Sequence, residues 1–202
     1  MQERRIGLYG GTFNPVHFGH LNLAIELKEK GGLDEVWVIP AALSPLRQNE
    51  ELAGATHRLN MAKLGFEQIP GFQVLDLELK RPPPSYTVET VNEILGRYPK
   101  DRFFLLLGED SVLQFAEWKE ISTIVARLPL LIGYRGEFLS SQLEAFPFEV
   151  RTAVANGRIE TARFEISATT IRNRLKKRLY CGHLVPAKVL DYIFENQLYF
   201  AI

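Results

Sequence analysis

The chain has 202 residues, 46% of them hydrophobic and 24% charged, a globular composition with ample apolar material for a buried core. Lys plus Arg number 24 and Asp plus Glu 24, a formal net charge of zero. That balance argues against a protein that coats nucleic acid or a polybasic membrane binder, while leaving room for a local basic pocket. Cys181 is the one cysteine, so intramolecular disulfides and cysteine-built zinc clusters are excluded.

The apolar run Ile6–Tyr9 is too brief for a signal-peptide core, and no stretch reaches the ~20 apolar residues of a membrane span. A soluble cytoplasmic protein is expected. Ile6–Tyr9 reads instead as a first strand, followed by a helical run over Leu21–Lys30 and a second strand over Val36–Ile39. Leu59, Ala62 and Phe66 recur at i, i+3, i+7 and predict a second helix. Over Gln73–Leu79, Leu75, Leu77 and Leu79 alternate with Asp76 and Glu78, which predicts a strand wet on one face. Val88, Val91 and Leu95 mark a further helix, and Phe103–Leu107 and Leu130–Ile132 are short apolar runs suited to strands buried on both faces. Residues 135–158 carry weak periodicity and are expected to be loop with short helical pieces. Ile171, Leu175 and Leu179 at i, i+4, i+8, then Pro186 ahead of Leu190 and Ile193, predict two last helices. Strand and helix in alternation imply right-handed crossovers and a doubly wound parallel α/β sheet. One domain over residues 1–202 is expected, with 167–202 as a small C-terminal helical extension.

The most informative stretch is Gly10-Gly11-Thr12-Phe13-Asn14-Pro15-Val16-His17-Phe18-Gly19-His20, between the first strand and the first helix. Ligands of open α/β sheets sit at such a strand-to-helix crevice. Two glycines let the backbone approach an anion, and the next helix start offers unbonded N–H groups. Thr12 adds a hydroxyl, and His17 and His20 are spaced to point into one pocket. Taken singly, the glycine pair reads equally as a tight turn and each histidine as a cap or surface group. A histidine metal site lacks a third ligand nearby, and the G-x-G-x-x-G dinucleotide fingerprint is absent.

Near the other end stands Ile166-Ser167-Ala168-Thr169-Thr170-Ile171-Arg172. Ser167 suits an N-cap, Thr169 and Thr170 fall in the first turn, and Arg172 is placed one turn on to reach back. Hydroxyls, free N–H groups and a guanidinium at one helix start make a second phosphate site. The plain alternative is a capped helix with a solvated basic face.

These two segments resemble the GGTFNP-x-H-x-G-H and I-S-S/A-T-x-I-R motifs of the nucleotidyltransferase superfamily, and of the bacterial nicotinate-nucleotide adenylyltransferases in particular. The likeness spans nearly the whole chain. Pro40 to Arg47 resembles a loop that ends in a phosphate-facing cation, Arg47 here. Ser85-Tyr86-Thr87 resembles the S-Y-T turn that holds the nicotinate nucleotide, and Gly108-Glu109-Asp110-Ser111 the G-A-D-S beside the adenosine ribose. Trp118 falls where the family stacks a Trp on the pyridine ring, and the tail through Leu198-Tyr199 matches the family's ending. Three departures stand out. Ala41-Ala42 replace a commonly polar pair, Glu109 a small residue, and Gly136 a proline.

The resemblance implies a Rossmann-like nucleotidyltransferase fold and transfer of an adenylyl group from ATP to nicotinate mononucleotide, giving deamido-NAD and pyrophosphate with Mg²⁺. His17, His20 and Arg172 are the implied catalytic residues. Gly10, Gly11, Thr12, Phe13, His20, Gly108, Asp110, Ser167, Thr169, Thr170 and Arg172 are implied for ATP. Arg47, Ser85, Thr87 and Trp118 are implied for the mononucleotide. The protein itself is expected to supply no metal ligands, Mg²⁺ being held mainly by substrate phosphates. Neither a nucleic-acid nor a membrane partner is expected, and self-association is left open. Other adenylyl- or cytidylyltransferases, such as the pantetheine-phosphate enzyme, and a non-catalytic nucleotide-binding regulatory domain remain open alternatives.

Overall fold

The computed structural model describes residues 3–45, 52–134 and 143–200. Its sheet has six strands, all parallel, in the order β3-β2-β1-β4-β5-β6. They are β1 (Arg5–Gly11), β2 (Glu35–Pro40), β3 (Phe72–Val74), β4 (Arg102–Gly108), β5 (Leu130–Tyr134) and β6 (Arg158–Glu160). The helices are α1 (Phe18–Lys30), α2 (Ala55–Phe66), α3 (Thr87–Arg97), α4 (Glu109–Leu113), α5 (Ile121–Arg127), α6 (Phe148–Asn156), α7 (Ala168–Lys176) and α8 (Ala187–Glu195).

Alternate side chains of the central strands feed two separate cores, as the two-residue period of a strand requires. Ile6 and Leu8 of β1 with Phe103, Leu105 and Leu107 of β4 pack under α3, α5 and α6. Tyr9 of β1 with Phe104 and Leu106 of β4 pack under α1, α2, α7 and α8. The expected doubly wound α/β arrangement is therefore present. The two last helices share the core of α1 and α2 through Ile171, Leu175, Val189 and Ile193. No helix among the described residues is long and apolar enough to cross a membrane.

The strand expected over Gln73–Leu79 stops early. β3 pairs with β2 over Val36–Val38, one further ladder bond joins Leu75 N–H to the Val38 carbonyl at 2.9 Å, and the chain then turns into a single 3₁₀ turn, Glu78–Lys80. Glu78 drives that departure by turning inward, where it accepts a hydrogen bond from the Thr90 hydroxyl at 2.6 Å. Leu75 and Leu77 both pack against the same core and Glu78 is buried as well, so their alternation with Asp76 and Glu78 does not mark the two faces of a strand. Residues 135–142 lie outside the described part, and within 143–158 the helical content exceeds expectation. Val150 and Val154 are buried at i, i+4 and anchor the nine-residue α6. Edge strand β6 went unrecognised because three residues with one aliphatic side chain carry no periodicity. Leu179 lies beyond α7, after Arg178 takes a positive φ of 55°, and is 46% exposed.

Candidate active site

The chain winds outward from β1 in both directions, toward β2 on one side and β4 on the other. A crevice opens where the carboxyl ends of these strands diverge, the usual ligand site of open α/β sheets. It holds a cavity of about 400 Å³.

The floor is the first loop. Gly10 faces open space, and a Cβ built on it meets no atom within 4 Å. At Gly11 the same Cβ would come 2.9 Å from the Phe13 ring, so the close approach of loop and ring requires glycine there. Phe13 takes a φ of 50° and is 2% exposed. Its ring meets Tyr9, Phe66 and His20 edge-on at 5.6, 5.8 and 5.2 Å. Phe13 is therefore packed beneath the loop and also lines the cavity.

His17 caps α1 in extended conformation, and His20 is the third residue of the first turn. The two imidazoles stack at 3.6 Å between centroids, 21° from parallel. His20 Nδ1 accepts the backbone N–H of His17 at 3.3 Å. An accepting Nδ1 puts the proton of a neutral imidazole on Nε2, so His20 keeps Nε2–H as its donor. Both rings line the cavity.

The distal segment closes on the same space. Ser167, Ala168 and Thr169 line the cavity with His17 and His20. Ser167 occupies the N-cap of α7 with extended backbone, and its hydroxyl makes no capping bond. Arg172 crosses from α7 to the first loop, donating from Nη1 to the Asn14 carbonyl at 2.9 Å and from Nη2 to Thr169 Oγ1 at 3.2 Å. Thr170 is exposed, and neither Thr170 nor Arg172 is among the residues lining the cavity.

Opposite, Ser85, Tyr86 and Thr87 enter α3, and Trp118 follows the 3₁₀ turn Phe115–Glu117; all four line the cavity. Thr87 is the first residue of α3, so the helix start is aimed at this end of the cavity. Ser85 Oγ accepts the Ala42 N–H at 3.1 Å. Lys119 Nζ lies 4.4 Å above the Tyr86 ring and 3.0 Å from Glu89. Gly108 and Asp110 contribute the wall at the end of β4. Glu109 is buried and does not line the cavity, so that departure is directed away from it, whereas Ala41 does line it. Arg47 and Gly136 lie outside the described residues.

Two supporting residues escaped the sequence reading. Arg58 of α2 is 1% exposed. It donates to the Thr12 carbonyl at 3.0 Å, to Ala53 at 3.0 Å, and to Ala41 and Ala42 at 2.5 and 2.6 Å. One guanidinium thus ties the first loop to the loop after β2, and burial lowers its affinity for a proton. Its signal was available: Arg58 shares the i, i+4, i+8 stripe of Ala62 and Phe66, where a solvated arginine does not belong. Glu78 is the second, 7% exposed and at the cavity wall. Burial pushes its carboxyl above the ordinary range, against the pull of hydrogen bonds from Thr90 and Ser85 and the nearby Arg81.

Three helix starts (α1, α3 and α7), paired imidazoles and a glycine floor on one crevice define an α/β nucleotide-binding protein of the nucleotidyltransferase kind. Residues 8–174 match the sequence model of the cytidylyltransferase-like family. The chain is 35% identical over 196 residues to the nicotinate-nucleotide adenylyltransferase of Bacillus subtilis (strain 168), covering 97% of this chain and 98% of that one. Among solved structures, Plasmodium falciparum nicotinic acid mononucleotide adenylyltransferase complexed with NaAD superposes with a TM-score of 0.76 at 22% identity, over 98% of each chain. The same protein complexed with APC superposes with a TM-score of 0.74 at 21% identity, again over 98% of each. The chain belongs to the nicotinate-nucleotide adenylyltransferase family.

Proposed function

We propose that this protein transfers the adenylyl group of ATP to nicotinate mononucleotide, forming deamido-NAD and releasing pyrophosphate. One observation carries the reading: the early histidines and the late Ser167–Thr169 turn border the same cavity, whose other end is formed by Thr87 and Trp118.

In this reaction a phosphate oxygen of the mononucleotide forms a bond to the α-phosphorus of ATP, while the bond from that phosphorus to the bridging oxygen breaks and pyrophosphate leaves. The nucleophile is already an anion at neutral pH, so no activated serine or cysteine is required. The protein's task is to bring two polyanions together in line and to stabilise charge on the phosphate oxygens. Gly10 and Gly11 admit the triphosphate to the loop, Thr12 and His20 Nε2–H donate to it, and the α1 and α7 starts add N–H groups and the positive ends of their dipoles. Arg172 holds that loop at the Asn14 carbonyl and adds positive charge near it, and Arg47 is assigned to the acceptor phosphate. Gly108 and Asp110 are assigned to the adenosine. The pyridine ring is assigned to Trp118, with its carboxylate toward the start of α3 at Thr87.

Among the described residues no group of three or more His, Cys, Asp and Glu is placed to hold a metal. Mg²⁺ is assigned to the triphosphate, in keeping with its preference for phosphate oxygens and water. When bound, the ion neutralises phosphate charge.

The test is mass spectrometry of the product formed from ATP and a panel of acceptors, several mononucleotides and phosphopantetheine, with pyrophosphate release followed in parallel. A mass equal to deamido-NAD only with nicotinate mononucleotide supports the reading. Product from phosphopantetheine instead, or ATP binding without pyrophosphate release, would replace it by one of the two alternatives.

A further inference from the structure

Asn14 sits at the bend of the first loop and is 2% exposed. Its two oxygens are held by three distant parts of the chain. The side-chain oxygen accepts the Ala53 N–H at 3.1 Å and the Tyr199 hydroxyl at 2.7 Å. Its backbone carbonyl accepts Arg172 Nη1 at 2.9 Å. Two residues earlier, the carbonyl of Thr12 is held by Arg58; three residues later, His17 opens α1. The stretch that carries Thr12 and leads to both histidines is therefore clamped from outside.

Tyr199 is the least expected of these clamps. It lies in the tail after α8, 185 residues from its partner, and its backbone has a φ of 67°. A tyrosine adopts that left-handed conformation at a cost, and keeps it where tertiary contacts enforce it. Its hydroxyl also lies 3.9 Å from Met61 Sδ. Burial pushes the phenol above its ordinary range, against the opposing effects of Arg172 and Arg58, so at neutral pH it is a protonated donor. The residue is not on the cavity wall. Its hydroxyl reaches the first loop at Asn14 Oδ1.

We propose that Tyr199 is a positioning residue for adenylyl transfer: its hydroxyl, by holding the side-chain oxygen of Asn14, orients the loop from Thr12 to His17 against the triphosphate. The inference rests on the function proposed above. Docking of the C-terminal tail is thereby coupled to the opposite end of the sequence at the reacting phosphates.

The test is Tyr199→Phe in the full chain, which removes one oxygen and keeps the ring, together with Asn14→Ser and the double variant. Steady-state kcat and KM are measured with ATP and nicotinate mononucleotide, ATP affinity by calorimetry, and stability by urea titration. In Tyr199→Phe, kcat is expected to fall about tenfold and ATP affinity to weaken measurably, with both losses absent when the change is made on Asn14→Ser. Loss of urea midpoint with kcat and ATP affinity unchanged would make the contact merely structural and overturn the proposal, as would equal losses in both backgrounds. If Asn14→Ser fails to fold, the kcat and ATP-affinity readings of Tyr199→Phe decide alone. If the wild-type protein binds ATP but transfers nothing to the mononucleotide, it is the proposed function that fails, and the calorimetric cycle still decides the role of Tyr199.

Discussion

The imidazole of His20 lies on that of His17, 3.6 Å between centroids, while its Nδ1 takes the backbone N–H of His17 at 3.3 Å. The contact fixes the ring's orientation and its proton at once. His17 is 6% exposed and both rings line the cavity; His20 Nε2–H is the donor assigned above to a phosphate oxygen.

Replacing His20 by Ala is accordingly expected to lower kcat by roughly 10²–10³, the range for loss of one preorganised donor to developing charge. The ring is only half-buried, so stability should change far less than turnover. A rapid-quench measurement of pyrophosphate formation beside a thermal melt checks both; undiminished kcat would remove His20 from the chemistry.

Gly10 offers the opposite separation of fold and function. Because a Cβ there meets nothing within 4 Å, Gly10→Ala should fold with a melting temperature close to that of the parent. The added methyl nevertheless projects into space assigned to the nucleotide, so ATP affinity should drop about tenfold or more, one steric contact at a close backbone approach being sufficient. Calorimetric titration with ATP is the measurement, and unaltered affinity would mean the triphosphate lies elsewhere.

At Trp118 the effect should be confined to one substrate. Trp118→Ala is expected to raise KM for nicotinate mononucleotide about tenfold, in keeping with ~1–3 kcal/mol for stacking on a heteroaromatic ring. KM for ATP should stay within about twofold, well under the 1.4 kcal/mol that a tenfold change represents. Trp118→Phe should recover part of the loss, because its ring still offers a stacking face. Equal rises in both constants would point to collapse of the wall formed by Phe115 and Trp118, whose rings are 5.2 Å apart.

Glu78 predicts a pH dependence of stability. Burial is the first cause of its upward shift, outweighing the Thr90 and Ser85 hydrogen bonds. The folded state then binds a proton that the unfolded chain has already released. Its contribution is full below the ordinary glutamate range and is lost as pH rises through the elevated folded value. Glu78→Gln carries no such proton. The stability of the parent relative to this variant should therefore decline with rising pH, read by urea titration from about pH 4 to about pH 8. A difference that stays constant across that range would contradict the buried, proton-retaining carboxyl.

Local pattern made much of this molecule legible beforehand. The runs Ile6–Tyr9, Val36–Ile39, Phe103–Leu107 and Leu130–Ile132 all lie inside strands, because doubly buried strands must be continuously apolar. The loop from Gly10 to His20 and the turn at Ser167 stood out too, as small and hydroxylated residues next to a helix start, and residues of both line one cavity. Glu78 and Leu179 broke their patterns, since a buried hydrogen bond and a left-handed Arg178 outweigh periodicity and neither is encoded in spacing. What three dimensions alone decided is which distant groups hold the first loop: Arg58 on Thr12, and Arg172 and Tyr199 on Asn14. Donors brought by packing hold this loop at the carbonyl of Thr12 and at both oxygens of Asn14. Those donors are single polar side chains without period or motif, so no reading along the chain pairs them.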